Sequence, residues 1–133
     1  MPVTILIVDD DPDDLWLFCE ALHEIDPSYR CLTALNGIEA LQLLENLVVA
    51  PDFIFMDLNL PFMSGRECLI DLKKNPRLAN IPVIIYSTSK LKTDIDEVYK
   101  LGAVHFLTKP NSFQDIVKKV SAILAGKWEE IDY

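Results

Sequence analysis

Five times along the chain, a short run of strand length, continuous and rich in β-branched residues from Val3 to Val8, gives way to a stretch whose apolar residues recur at helical spacing. The runs are Val3 to Val8, Tyr29 to Leu35, Phe53 to Met56, Pro82 to Tyr86 and Val104 to Leu107. The helical faces between and after them carry Leu15, Phe18, Cys19 and Leu22, then Ile38, Leu41, Leu44 and Val48, then Cys68, Leu69 and Leu72. Ile95, Val98 and Tyr99 mark a fourth helix predicted to stop at Gly102, and Phe113, Ile116, Val117, Val120 and Leu124 mark a fifth. Strands that are apolar throughout must be buried on both faces. Right-handed crossovers achieve this by laying helices on either side of a parallel sheet. The prediction is an α/β fold, a doubly wound (βα)5 domain with a five-stranded parallel sheet. It fills 1–133, with a core from about 4 to 125 and a short acidic tail at 126–133 in which Trp128, Ile131 and Tyr133 recur at roughly helical spacing.

With 133 residues, half of them hydrophobic and 25% charged, the chain has the length and composition of one globular domain. Twelve Lys and Arg against twenty-one Asp and Glu give a net charge of −9, which argues against direct nucleic-acid binding, because that affinity rests on clustered cations. No apolar run approaches the ~20 residues of a membrane span. Met1-Pro2-Val3-Thr4 lacks the basic and apolar regions of an export signal, so a cytoplasmic location is expected. Cys19, Cys31 and Cys68 are odd in number and widely spaced, without a C-x-x-C or a nearby histidine pair, and are expected to be reduced core residues.

In an open α/β sheet, ligands bind beyond the carboxyl ends of the strands. Four of the predicted strands end in polar groups: Asp9-Asp10-Asp11, Asp57, Ser87-Thr88-Ser89 and Thr108-Lys109-Pro110. Clustered carboxylates need a counterion, and hard oxygen ligands suit Mg²⁺. With Lys109 as a point cation and Ser87 as a hydroxyl donor, Asp57 could attack a phosphoryl group whose equatorial oxygens are then stabilised.

Ile5 to Asp10, Phe53 to Pro61 with Met63 and Gly65, Pro82 to Ser87, and Phe106 to Pro110 together resemble the bacterial response-regulator receiver (CheY-like) domain. The resemblance runs from about Thr4 to Ala125. It implies the flavodoxin-like strand order 2-1-3-4-5 known for CheY-like proteins themselves. It also implies that Asp57 accepts a phosphoryl group from a phosphohistidine on a sensor histidine kinase or a histidine phosphotransfer protein. Asp9, Asp10, Asp57 and the backbone carbonyl of Asn59 would hold Mg²⁺, with Mn²⁺ as a substitute. Ser87 and Lys109 would contact the phosphoryl oxygens, and the Lys109-Pro110 bond is expected to be cis.

The resemblance further implies a switch in which Ser87 moves toward the phosphoryl group and the aromatic residue of the fifth strand, here Phe106, rotates inward. Many relatives carry Tyr there. Lacking the hydroxyl, Phe106 is expected to prefer the buried rotamer. Thr88 is bulkier than the small residue usual at its position, and Asn59 and Ser89 occupy variable positions expected to set the lifetime of the phosphoryl group. The segment from Lys73 to Pro82 and the Ser87-Thr88-Ser89 triplet are similar to stand-alone regulators that serve phytochrome-type or hybrid kinases. With no output domain, the signal is expected to pass to a downstream protein, from a monomer or a homodimer.

Other readings of the same residues are weaker. Asp9, Asp11, Asp13 and Glu20 have the spacing of a calcium-binding EF-hand, but Asp14 replaces its glycine and a strand precedes it. Asp13 and Asp14 are expected to serve the first turn of a helix, where negative charge is favoured. Aspartate-nucleophile phosphohydrolases place a second Asp two residues after the first, where this chain has Asn59. An adaptor independent of phosphorylation would be expected to have lost an acidic, acceptor or lysine position, and none is lost. His23, His105, Trp16 and Trp128 are assigned no role.

Overall fold

All five predicted strands and all five helices form. The computed structural model describes residues 2–127, so the predicted pattern of Trp128, Ile131 and Tyr133 lies outside the described residues. In chain order the elements are β1 (Thr4–Val8), α1 (Pro12–Ile25), β2 (Arg30–Ala34), α2 (Gly37–Asn46), β3 (Phe53–Met56), α3 (Gly65–Lys74), β4 (Val83–Ser87), α4 (Lys92–Lys100), β5 (His105–Thr108) and α5 (Phe113–Leu124). The strands form one parallel sheet in the order β2-β1-β3-β4-β5. This is the flavodoxin-like order that the resemblance implies.

Successive strand side chains point to opposite faces, so each apolar run supplies two cores at once. Leu6, Val8, Ile54, Met56, Ile85 and Phe106 pack with Leu44, Leu69 and Val98 on the side of α2, α3 and α4. Ile5, Ile7, Phe55, Ile84 and Leu107 pack with Phe18, Leu22, Ile116 and Val120 on the side of α1 and α5. Phe18, Phe55 and Tyr86 form an aromatic cluster there. Trp16 is exposed, its neighbour Leu15 taking the inward position.

Helix starts follow the capping residues. Asp11, Asn36, Ser64 and Ser112 accept hydrogen bonds from the N–H groups of Asp13, Glu39, Glu67 and Asp115 at 2.9–3.2 Å, each worth about 1 kcal/mol. Among the described helices, only α4 begins without a side-chain cap. It ends at Leu101, where Gly102 takes φ +111°, a conformation that favours glycine.

Two expectations fail. Cys19 and Cys31 are not independent reduced residues but a disulfide joining α1 to β2, with Cα atoms 5.7 Å apart. Their spacing of 12 residues gave no sign of this; the crossover from β1 through α1 to the neighbouring strand lays one over the other. Cys68 meets the expectation, free and buried, its thiol pushed up to about 12 by burial and then by the Asp71 charge. The second correction is Lys109-Pro110, which is trans like every peptide bond among the described residues. The Lys109 N–H still donates to the Ser87 carbonyl, at 2.8 Å, so the lysine is placed without a cis bond.

His105 is buried on β5, and burial lowers its pKa below the usual 6.5. As pH falls through about 6.5, the unfolded imidazole therefore binds a proton that the folded one resists, and stability must fall. Thermal unfolding followed from about pH 7.5 to about pH 5.5 is expected to show this decline, with a shallower slope in His105→Gln.

Candidate functional site

The polar residues predicted at the strand ends meet at one end of the sheet because the ladder continues one residue past each strand. The Asp9 N–H donates to Ala34 O at 3.0 Å, the Asp57 N–H to Val8 O at 3.0 Å, and the Lys109 N–H to Ser87 O at 2.8 Å. Each site residue is thus held by the carbonyl that ends the neighbouring strand. Asp9, Asp57 and Ser87 are buried, whereas Asp10 and Asn59 are exposed.

Lys109 is the centre of the cluster. Its Nζ lies 2.9 Å from Asp57 Oδ2, 2.9 Å from Asp14 Oδ2 and 2.7 Å from Asp9 Oδ2. Burial alone would lower its pKa, but its interactions with Asp9, Asp14 and Asp57 outweigh burial and hold it above the usual lysine value. Burial raises the pKa of Asp9, and the Asp57 charge adds to this, while Lys109 and the Asp11 N–H pull it back only in part. Asp9 Oδ1 accepts the Asp11 N–H at 3.0 Å, and Asp57 Oδ1 accepts the Asn59 N–H at 3.4 Å.

These residues fit a divalent cation. One carboxylate oxygen each from Asp9, Asp10 and Asp57 lie within 4.8 Å of one another. Asp9 Oδ2 is buried, and its contact with Lys109 is an ion pair without hydrogen-bond geometry. Four carboxylates, with Asp14 included, face one ammonium, and all the donors are hard oxygens of the kind that Mg²⁺ and Mn²⁺ prefer.

The loop after Asp57 is shaped by close approach. A Cβ on Gly65 would lie 2.2 Å from the Asp57 carbonyl oxygen, and the Gly65 N–H donates to Leu58 O at 2.9 Å. Phe62 in the same loop has φ +67° and an exposed side chain.

Not every predicted residue joins the cluster directly. The Ser87 Oγ accepts the Ser89 N–H at 3.3 Å. Ser89 Oγ donates to Asp94 at 2.6 Å and accepts the Leu91 N–H at 3.2 Å. Asp94 is held in turn by Arg66 at 2.6 Å, and Arg66 also pairs with Glu97. Ser89 therefore belongs to a network joining the start of α4 to α3. Thr88 is exposed. Phe106 is wholly buried, as expected from its missing hydroxyl, and its N–H donates to Tyr99 Oη at 3.2 Å.

One residue escapes the sequence analysis. Asp14, expected there only as helix-start charge, binds Lys109. It stands three residues after the N-cap Asp11, and helical side chains lean toward the N-terminus, so a carboxylate there reaches back over the strand ends.

The response regulator receiver domain family matches residues 5–121, nearly all of the described chain. The chain belongs to that family. The receiver domain is 33% identical over 127 residues to the response regulator Rcp1 of Synechocystis sp., covering 92% of this chain and 86% of that protein. A crystal structure of the phosphorylated cyanobacterial phytochrome response regulator RcpA superposes with a TM-score of 0.85 at 30% identity, covering 100% of this chain and 98% of that one. The Mn²⁺-bound form of Rcp1 superposes with a TM-score of 0.82 at 32% identity, covering 98% of each chain. Among the described residues, no helix is long and apolar enough to cross a membrane.

Because burial penalises the charge of Asp9, Asp9→Asn is expected to raise the melting temperature of the metal-free receiver. It should also weaken Mg²⁺ binding about 10- to 100-fold. Thermal unfolding with and without Mg²⁺ checks both effects, and a variant that melts lower without metal would contradict the first.

Proposed function

We propose that the protein is a receiver whose Asp57 carboxylate accepts a phosphoryl group from a phosphohistidine, on a histidine kinase or a histidine phosphotransfer protein, and later loses it to water. The observation that carries this reading is the Lys109 ammonium held 2.9 Å from Asp57 beside Asp9. An Asp57 oxygen attacks phosphorus as the imidazole nitrogen leaves, giving an acyl phosphate. Negative charge builds on the equatorial phosphoryl oxygens, and Lys109 and the Ser87 hydroxyl would contact them. Asp9, Asp10, Asp57 and the Asn59 carbonyl would hold Mg²⁺ or Mn²⁺, which supplies further positive charge at the same oxygens. The Mn²⁺-bound form of Rcp1 supports that choice of ion.

The reaction alters the protein's own shape and no metabolite, so the chain acts as a signalling module. Ser87 and Phe106 form the switch: Ser87 engages the phosphoryl group, and Phe106, already inward, biases the surface of α4, β5 and α5 toward the form that binds a downstream protein. The likeness to RcpA, a phytochrome response regulator, supports a phytochrome-type kinase as the donor.

Incubation with acetyl phosphate, followed by intact-mass spectrometry, is expected to give one phosphoryl adduct that requires Mg²⁺ and is absent from Asp57→Asn. No adduct, together with no binding of beryllofluoride, would instead favour an adaptor independent of phosphorylation. Substitution of Asn59, which is exposed beside Asp57, or of Ser89, which holds the loop before α4, is expected to change the decay rate of the adduct without abolishing its formation. Unchanged decay in both variants would remove these residues from control of the phosphoryl lifetime.

A further inference from the structure

We propose that Cys19 and Cys31 form a reversible redox site, closed by thiol–disulfide exchange with a low-molecular-weight disulfide and reopened by a dithiol, whose state sets how firmly β2 is held to α1. The proposal is independent of the phosphoryl chemistry of Asp57.

The geometry permits both states. With Cα atoms 5.7 Å apart, the pair lies within the range that a disulfide spans, so closure needs no displacement of helix or strand. Opening also leaves the core intact. Both side chains are only partly buried, at the margin of the cluster built on Ile5, Phe18 and Leu22, where a free cysteine packs as a small hydrophobe. Partial exposure gives a small thiol access. Cys68 provides the contrast within the same molecule: fully buried, with its thiol pushed up to about 12 by burial and by Asp71, it holds almost no thiolate at neutral pH. Oxidation is therefore directed to one pair of the three cysteines.

The mechanical consequence follows from the topology. Among the described residues β2 is an edge strand, bonded to β1 alone, with no strand on its other side. Closing the pair ties this strand to α1 across a separation of 12 residues and removes conformational freedom from the unfolded chain. The two tethered elements also reach the acidic cluster, because β2 ends at Ala34, whose carbonyl accepts the Asp9 N–H, and α1 carries Asp14.

The exchange balances. One cysteine thiolate attacks a sulfur of oxidised glutathione, giving a mixed disulfide and releasing one glutathione. The second cysteine thiolate attacks the protein sulfur of that mixed disulfide and releases the other. The two protons lost by the cysteines go to the two released glutathione thiolates, so two protein thiols are oxidised as one external disulfide is reduced.

The test uses the folded protein, reduced with dithiothreitol, freed of reductant and split into samples with and without oxidised glutathione. Both are alkylated with N-ethylmaleimide without denaturant and read by intact mass and peptide mapping. The reduced sample is expected to gain adducts at Cys19 and Cys31 and none at Cys68. The oxidised sample should gain none, carry a Cys19–Cys31 cross-link, and regain both alkylation sites after dithiothreitol. The oxidised form should melt higher by on the order of 10 °C, a difference absent from the Cys19→Ala, Cys31→Ala double variant. Glutathione adducts without the cross-link, a cross-link that dithiothreitol cannot open in the folded protein, or equal melting of the two forms would each overturn the proposal. The alkylation pattern needs no variant, so if the double variant failed to fold, the wild-type protein alone would still decide between these outcomes.

Discussion

Lys109 lies 2.7–2.9 Å from carboxylate oxygens of Asp9, Asp14 and Asp57, which come from the end of β1, the first turn of α1 and the end of β3. A buried amine alone would favour its neutral form; these carboxylates reverse that preference and keep it charged. The same ammonium makes it tolerable to bury Asp9 and Asp57. One cation does not balance the site, however, since Asp10 brings the carboxylates to four. The net charge of the cluster is therefore negative, and any anion would meet repulsion there until a second cation was added. The excess of carboxylates over ammonium, with Asp9 Oδ2 buried and held only by its ion pair to Lys109, is what makes the cluster fit a divalent cation.

The precision of this arrangement comes from the sheet. Strands apolar on both faces are fixed by two cores, and the register between neighbours leaves little freedom at their ends. The hydrogen bonds from Asp9, Asp57 and Lys109 to the last carbonyls of β2, β1 and β4 extend that register into the site. Gly65 completes the frame, because only a residue without Cβ lets α3 begin against the Asp57 carbonyl.

The scaffold is readable in the sequence because its signals are local. A strand buried on both faces is a continuous apolar run, and a helix start is a short polar side chain, as at Asn36, Ser64 and Ser112. The site is readable for a related reason: in a parallel sheet, every residue that follows a strand lies at the same end, so Asp9, Asp57 and Lys109 can be grouped without coordinates. What escapes depends on packing between elements. Asp14 reaches Lys109 only through the angle at which α1 leaves β1, and Cys19 meets Cys31 only because α1 crosses toward the edge strand. Ser89 has the sequence position of a site residue, but its hydroxyl is taken by Asp94 from α4.

That last contact bears on where the fold can yield. Four of the five described helices begin with a side-chain cap, whereas α4 begins at an uncapped Leu91 and has Val98 as its one fully buried side chain. Beyond Val98 and the partly buried Ile95 and Tyr99, its position rests on polar contacts: Ser89 to Asp94, Arg66 to Asp94 and Glu97, and the Phe106 N–H to Tyr99. Partly exposed ion pairs of this kind contribute modestly against water, and polar contacts can be exchanged without opening a cavity, unlike apolar packing. This helix, with no side-chain cap and one fully buried side chain, lies directly after the strand that ends in Ser87 and beside the strand that carries Phe106. The segment between Ser87 and α4 differs from the strand ends beside it, because it is held by hydrogen bonds whose partners are themselves polar and partly exposed, whereas Asp9, Asp57 and Lys109 are fixed by the backbone ladder of the sheet.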